Sequence, residues 1–194
     1  MKKQVELKDG REILIRPMMA DDLEGSVAFF TALPEEDRAY LRRDVTNRDV
    51  VRQRFEEMES GAVQRLVAEV DGEIVADGAL EISGEEWKKH LGEIRLIVAR
   101  PFRRQGLGVL MTHELYDLAT AARVEEIIVK LMGPQEAGRG ILERLGFEHQ
   151  TTIPDYVQDL GGGKQDMILM RCDLEALWRR MEDFLSTGDW EHAR

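Results

Sequence analysis

The chain has 194 residues, enough for one domain with a substantial core, and its 43% hydrophobic and 34% charged content is that of a folded protein rather than a disordered one. With 27 basic against 38 acidic side chains the formal charge is −11, which argues against nucleic acid, whose phosphates select a basic footprint, and favours a neutral or cationic partner. No apolar run approaches the roughly 20 residues that span a membrane, a single cysteine, Cys172, excludes an internal disulfide, and no Cys/His spacing suggests a metal site; a cytoplasmic protein with no membrane, nucleic-acid or metal partner is expected.

In chain order, residues 11–17 read as a strand ended by Pro17. Asp21 and Asp22 open a helix with Leu23, Val27, Phe29 and Phe30 on its apolar side, stopping before Pro34. Thr46 and Asp49 start a second helix that carries Val50, Val51, Phe55 and Met58 to Gly61. Residues 63–70 and 73–82 are strand-like runs joined by Asp71-Gly72, a strong hairpin signal, and should pair antiparallel. Residues 93–98 form another strand, 109–122 a helix and 125–132 a strand, an order expected to make a right-handed parallel unit. Residues 135–145 read as a helix closed by Gly146, and 149–157 and 165–172 as the last two strands.

The expected fold is therefore α/β (α+β), a mixed central sheet of about seven strands with flanking helices. Leu174, Leu177, Trp178, Met181, Phe184 and Leu185 recur at helical spacing beyond it. The division expected is one domain over 1–173 and an amphipathic helical extension over 174–194, packed on that domain or used as a homodimer contact.

Between the strand at 93–98 and the following helix stands Arg103-Arg104-Gln105-Gly106-Leu107-Gly108. Amides at a helix start are unpaired and point outward, the helix dipole adds positive charge, and glycine lets an anion approach the main chain. Arg100, Arg103 and Arg104 add a local positive patch to an acidic chain.

Arg103, Gly106 and Gly108 also match the signature of the GCN5-related N-acetyltransferase (GNAT) superfamily, and the helix ending in Gly146-Phe147 matches a second family feature. The chain resembles that superfamily from Val5 to Asp173, an acyl-CoA N-acyltransferase type of fold. Residues 29–42 also resemble acetyltransferase domains that modify lysines of bacterial metabolic enzymes. The resemblance implies acetyl-CoA as cosubstrate, with its pyrophosphate on the amides of Arg103, Arg104, Gln105, Gly106, Leu107, Gly108 and Val109. It implies that the pantetheine arm runs beside Leu96, Ile97 and Val98 like an added half-strand. Gln135 stands where many members carry an Asn that contacts pantetheine or substrate.

An amine acceptor such as a protein lysine or a small amine is unreactive while protonated, and a lysine is neutral only about once in two thousand at pH 7. A general base is needed. Glu93 is the candidate, ten positions before Arg103, in a pocket expected to be partly apolar; Glu81 on the neighbouring strand is the reserve. The resemblance implies that the Val98 amide donates to the oxyanion. Many members protonate the departing thiolate with a Tyr where this chain has Leu142; Tyr156 is the substitute considered, with strand packing as its alternative role. The rival to an enzyme is a non-catalytic acyl-CoA-binding sensor.

Overall fold

The structure, a computed structural model, describes residues 2–179. Eight strands form one sheet in the order β1-β2-β3-β4-β5-β6-β8-β7. They are β1 (Lys3–Glu6), β2 (Glu12–Pro17), β3 (Val63–Val70), β4 (Glu73–Ile82), β5 (Leu91–Val98), β6 (Glu126–Met132), β7 (Glu148–Gln158) and β8 (Lys164–Asp173). The helices are α1 (Leu23–Ala32), α2 (Glu35–Arg38), α3 (Arg48–Glu59), α4 (Leu107–Ala121) and α5 (Glu136–Arg144). The mixed sheet with flanking helices agrees with the expected fold. Two elements escape sequence reading. β1 carries a single apolar residue, Val5, and is a strand because its backbone pairs with β2, Lys3 opposite Ile15; α2 follows directly on Pro34, its N-cap, where a helix was expected only to stop.

The Asp71-Gly72 turn joins β3 to β4 as its chemistry demands, with both residues at positive φ (51° and 83°). β5 and β6 run parallel, linked by α4, and β8 lies antiparallel between β6 and β7. Strand periodicity divides the apolar residues between two faces. One face, with Leu66, Ala68, Leu80 and Ile94, joins Leu107, Met111 and Leu115 of α4 in the main core. The other packs Val67 and Ile74 against Phe29, Phe30, Val51 and Phe55 of α1 and α3.

Leu174 is buried in the main core, Leu177 and Trp178 lie against it, and the Trp178 indole donates to Thr120 Oγ1 at 3.3 Å. Met181, Phe184 and Leu185 lie outside the described residues. No helix among the described residues is long and apolar enough to cross a membrane.

Gly92 marks the tightest point of the core beside the site. A Cβ there would meet Leu80 Cδ1 at 2.8 Å and Val124 Cγ1 at 3.1 Å. Gly92→Ala should cost about 1–3 kcal/mol through overpacking, measured by urea denaturation; an unchanged midpoint would mean that α4 and its loop yield freely.

Candidate active site

The sheet opens between β5 and β6. Their register covers only Leu91, Gly92 and Glu93 against Glu126, Ile127 and Ile128, so the rest of β5 has no rung to β6. The Ala99 amide donates to the Val75 carbonyl preceding β4's centre at 2.9 Å. Because main-chain groups alternate sides along an antiparallel strand, the amide and carbonyl of Ile97 face β4 and those of Leu96 and Val98 face the gap. The three residues proposed to line an acyl-CoA arm therefore divide. Leu96 and Val98 offer main-chain groups to it, whereas Ile97 spends its own on the sheet and sends its side chain to the α1/α3 cluster. The Val98 carbonyl accepts from Arg103 Nε at 2.8 Å, which leaves its amide toward the gap.

At the end of β5 the chain turns into α4 through Arg104 and Gly106, at φ 62° and 95°. Gly106 is the residue before the first helical turn, and that φ is one side chains rarely adopt. The first helical bond runs from the Leu110 amide to the Gly106 carbonyl, 3.1 Å, so the amides of Leu107, Gly108 and Val109 have no acceptor within the helix. Leu107 itself is buried, leaving only its amide to contribute outside. The Gln105 carbonyl accepts from the Lys8 amide at 3.2 Å and ties the turn to the end of β1.

A Cβ at Gly106 or Gly108 would meet nothing within 4 Å. Backbone conformation accounts for Gly106. Nothing in the protein's own packing accounts for glycine at 108, a helical position where it costs up to about 1 kcal/mol relative to alanine; the main chain there is open to the close approach of an anion. Gly108→Val should keep the melting temperature within about 2 °C while weakening acetyl-CoA binding at least several-fold in calorimetry; equal affinity would remove the cradle's role.

The arginines beside the turn are less available than their clustering implies. Arg103 reaches Asp37 of α2 at 2.7 Å, and Arg100 reaches Asp37 at 3.0 Å and Glu36 at 2.5 Å. Burial pushes the Asp37 carboxyl up, but its bonds to Arg103 and Arg100 outweigh that and hold it below the usual carboxylate range. The positive patch is thus largely neutralised by α2, and Arg104 alone of the three has no carboxylate partner among the described residues. Gln135 also acts locally, its Oε1 accepting from the Met132 amide at 2.8 Å where β6 turns into α5.

Glu93 stands where β5 and β6 begin to part. It is 9% exposed and ionic in its surroundings rather than partly apolar: Arg42 holds Oε1, and Lys130 Nζ on β6 holds Oε2 at 2.8 Å. Glu81 is its cross-strand neighbour, on the same face, and is paired with Arg95. On that face Asp77 Oδ1 accepts from Arg54 at 2.6 Å and from Arg65 at 3.3 Å, all three buried. Sequence reading missed Arg42, Arg54, Arg65, Asp77, Arg95 and Lys130. The signal for four of them was a charge inside an apolar strand run, Arg65, Asp77, Arg95 and Lys130.

Tyr156 is 63% exposed, in the irregular stretch of β7 between Ile153 and Val157, so it fills no apolar strand face. Leu142 lies against the main core. Tyr116 of α4 is buried and donates to the Leu145 carbonyl at 2.9 Å, an anchor for the end of α5. No group of three or more His, Cys, Asp or Glu side chains placed to hold a metal occurs among the described residues.

A sheet parted at its parallel pair, main-chain groups facing the opening, and a glycine-bearing helix start at its end together fit an extended, phosphate-bearing acyl donor. Residues 27–147 match the model of the acetyltransferase (GNAT) family, and the chain belongs to that family, whose donor is acetyl-CoA. Solved structures share the fold. Ribosomal-protein-alanine N-acetyltransferase from Brucella melitensis is 23% identical, with a TM-score of 0.72 over 82% of this chain and 98% of that one. The GNAT domain of S. lividans PAT is 17% identical, with a TM-score of 0.71 over 89% and 96%. A spermidine N-acetyltransferase chimera from Vibrio cholerae and hSSAT is 16% identical, with a TM-score of 0.71 over 86% and 98%. No curated protein sequence matches the chain.

Proposed function

We propose that the chain transfers the acetyl group of acetyl-CoA directly to a primary amine, with Glu93 as general base and no covalent enzyme intermediate. The observation that carries this reading is the alignment of three features along one strand: Glu93 at the head of the gap, the gap-facing main chain of Leu96 and Val98, and the open helix start at Gly106 and Gly108. The Leu96 and Val98 groups hold the pantetheine arm as an extra strand would be held, and the amides from Arg104 to Val109 receive the pyrophosphate, without the expected Arg103 amide, which donates to the Arg100 carbonyl at 3.2 Å.

Glu93 takes a proton from the acceptor ammonium, directly or through one water, once one of its two cationic partners gives way. The free amine attacks the thioester carbonyl carbon. The Val98 amide, aimed into the gap, donates to the oxygen as it becomes negative. Collapse breaks the C–S bond as the nitrogen, cationic after attack, loses its second proton to water, and with Leu142 on the helix the sulfur departs as thiolate, which a thiol pKa of about 8.5 tolerates at neutral pH. Tyr156, exposed on β7, comes into play only if an acceptor draws that stretch inward.

Glu93's double ion pair and the Leu at 142 favour a second reading, an acyl-CoA-binding sensor without turnover. One measurement separates the two: thiol release from acetyl-CoA over a panel of peptides, polyamines and amino acids. Amine-dependent release supports the enzyme; tight binding of acetyl-CoA with no release from any amine supports the sensor.

A further inference from the structure

We propose that the acceptor is a small primary amine that also carries an acid group, a carboxylate first among them, which Arg95 receives with Arg42 and Lys130 while the amine faces Glu93. The inference rests on the acetyltransferase reading and names the substrate class of the same site. It comes from a charge imbalance opposite in sign to that of the whole chain.

On the sheet face under α1 and α3, the cations Arg42, Arg54, Arg65, Arg95 and Lys130 gather around only Asp77, Glu81 and Glu93. Arg43 and Glu57 at the rim pair with each other and leave the excess unchanged. Positive charge thus dominates the site in a protein whose net charge is −11. Cations removed from water are costly without an anion beside them. The strain is visible at Arg95, whose guanidinium is pushed down to about 10, first by burial and then by repulsion from Arg42, Arg65 and Arg54.

Donors stand unclaimed in the same place. Arg95 Nε is buried without a hydrogen-bond acceptor among the described residues, as are Arg54 Nη1 and Arg65 Nε deeper in the cluster, where Asp77 Oδ2 likewise has no donor. Arg95, Arg42 and Lys130 nonetheless keep about a third of their side chains exposed, so the cluster opens to solvent. Arg95 follows Glu93 by two residues on the same face, about 7 Å along the strand. An amine and a carboxylate a few carbons apart, with a hydrogen bond at each end, span that distance.

A carboxylate entering here accepts hydrogen bonds and offsets the excess charge, and it directs its ammonium to Glu93. A polyamine brings only more positive charge. The acidic outer surface does not reverse this, because charges beyond a Debye length of about 8 Å are screened while those in the cluster are not.

The test is CoA release from acetyl-CoA with free amino acids, the corresponding carboxamides and spermidine. The acids should exceed their carboxamides by about tenfold or more in kcat/KM, through KM rather than kcat. In Arg95→Gln that ratio should fall toward one, and Arg95→Lys should retain most of it; if Arg95→Gln does not fold, Arg42→Gln takes its place. Carboxamides or spermidine used equally well or better overturn the proposal and leave the acetyltransferase reading intact. If acetyl-CoA binds but no amine is acetylated, the acetyltransferase reading falls instead. The acid site is then decided by calorimetry of the CoA-loaded protein with amino acids and carboxamides, where equal binding overturns it and a preference lost in Arg95→Gln supports it.

Discussion

Replacing Glu93 with glutamine should lower kcat/KM by about a hundredfold or more at neutral pH, the range that positioned bases contribute, while leaving acetyl-CoA affinity within about twofold. Glutamine keeps the shape of the side chain but cannot take a proton. It also breaks the ion pairs with Arg42 and Lys130, so a purely structural role for Glu93 has to be separated from a chemical one. The pH profile does this. Without a base the variant depends on the fraction of acceptor that is already neutral, and for an amine of pKa about 10.4 that fraction rises tenfold per pH unit. The variant's rate should therefore climb steeply between pH 7 and 10 and approach that of the native protein. A rate equally reduced at every pH would assign Glu93 to structure, and a rate unchanged at pH 7 would remove it from the mechanism.

The largest effect on stability is expected at Asp77. Its carboxylate is the anion between Arg54 and Arg65, whose side chains are 10% and 2% exposed. Asp77→Ala leaves both guanidinium groups buried without compensation, a loss of about 3–5 kcal/mol. For a chain of this size that corresponds to a melting temperature lower by roughly 10 °C or more. Burial first, and then the nearby Arg54 and Arg43, already push Arg65 toward losing its proton, while Asp77 opposes them, so removal of Asp77 acts on a strained group. Arg54 also stacks over Phe30 at 4.3 Å, which couples the ion cluster to the packing of α1. Chemical denaturation measures the loss. A change below about 1 kcal/mol would mean that water reaches the cluster and hydrates it.

These two residues differ in how far the chain announced them. Glu93 was named because it lies near the start of the strand that leads into Arg103–Gly108, a local relation that needs no tertiary information. Asp77 was visible only as a charge in an apolar run, with no indication of the arginines it serves, because those come from a neighbouring strand and from α3, 12 and 23 residues away. The cradle glycines were likewise read from local chemistry. The basic patch beside them was misjudged in strength, since Asp37 and Glu36 approach it from α2, more than 60 residues earlier in the chain.

What the sequence by itself determined was local: the order of strands and helices from apolar periodicity, the Asp71-Gly72 hairpin, and a helix start able to receive an anion. Such features depend on backbone geometry within a few residues. The family likeness rested on motif residues carried by those elements, Arg103, Gly106 and Gly108 with Gly146-Phe147 downstream. Only the tertiary structure decided which main-chain groups of residues 96–98 face the gap, since that depends on which neighbour β5 pairs with at each position. It also decided the sign of the charge around Glu93. Net charge sums the whole surface, whereas a site responds to the few groups that folding brings within several ångströms of it, and here those groups are mostly arginines.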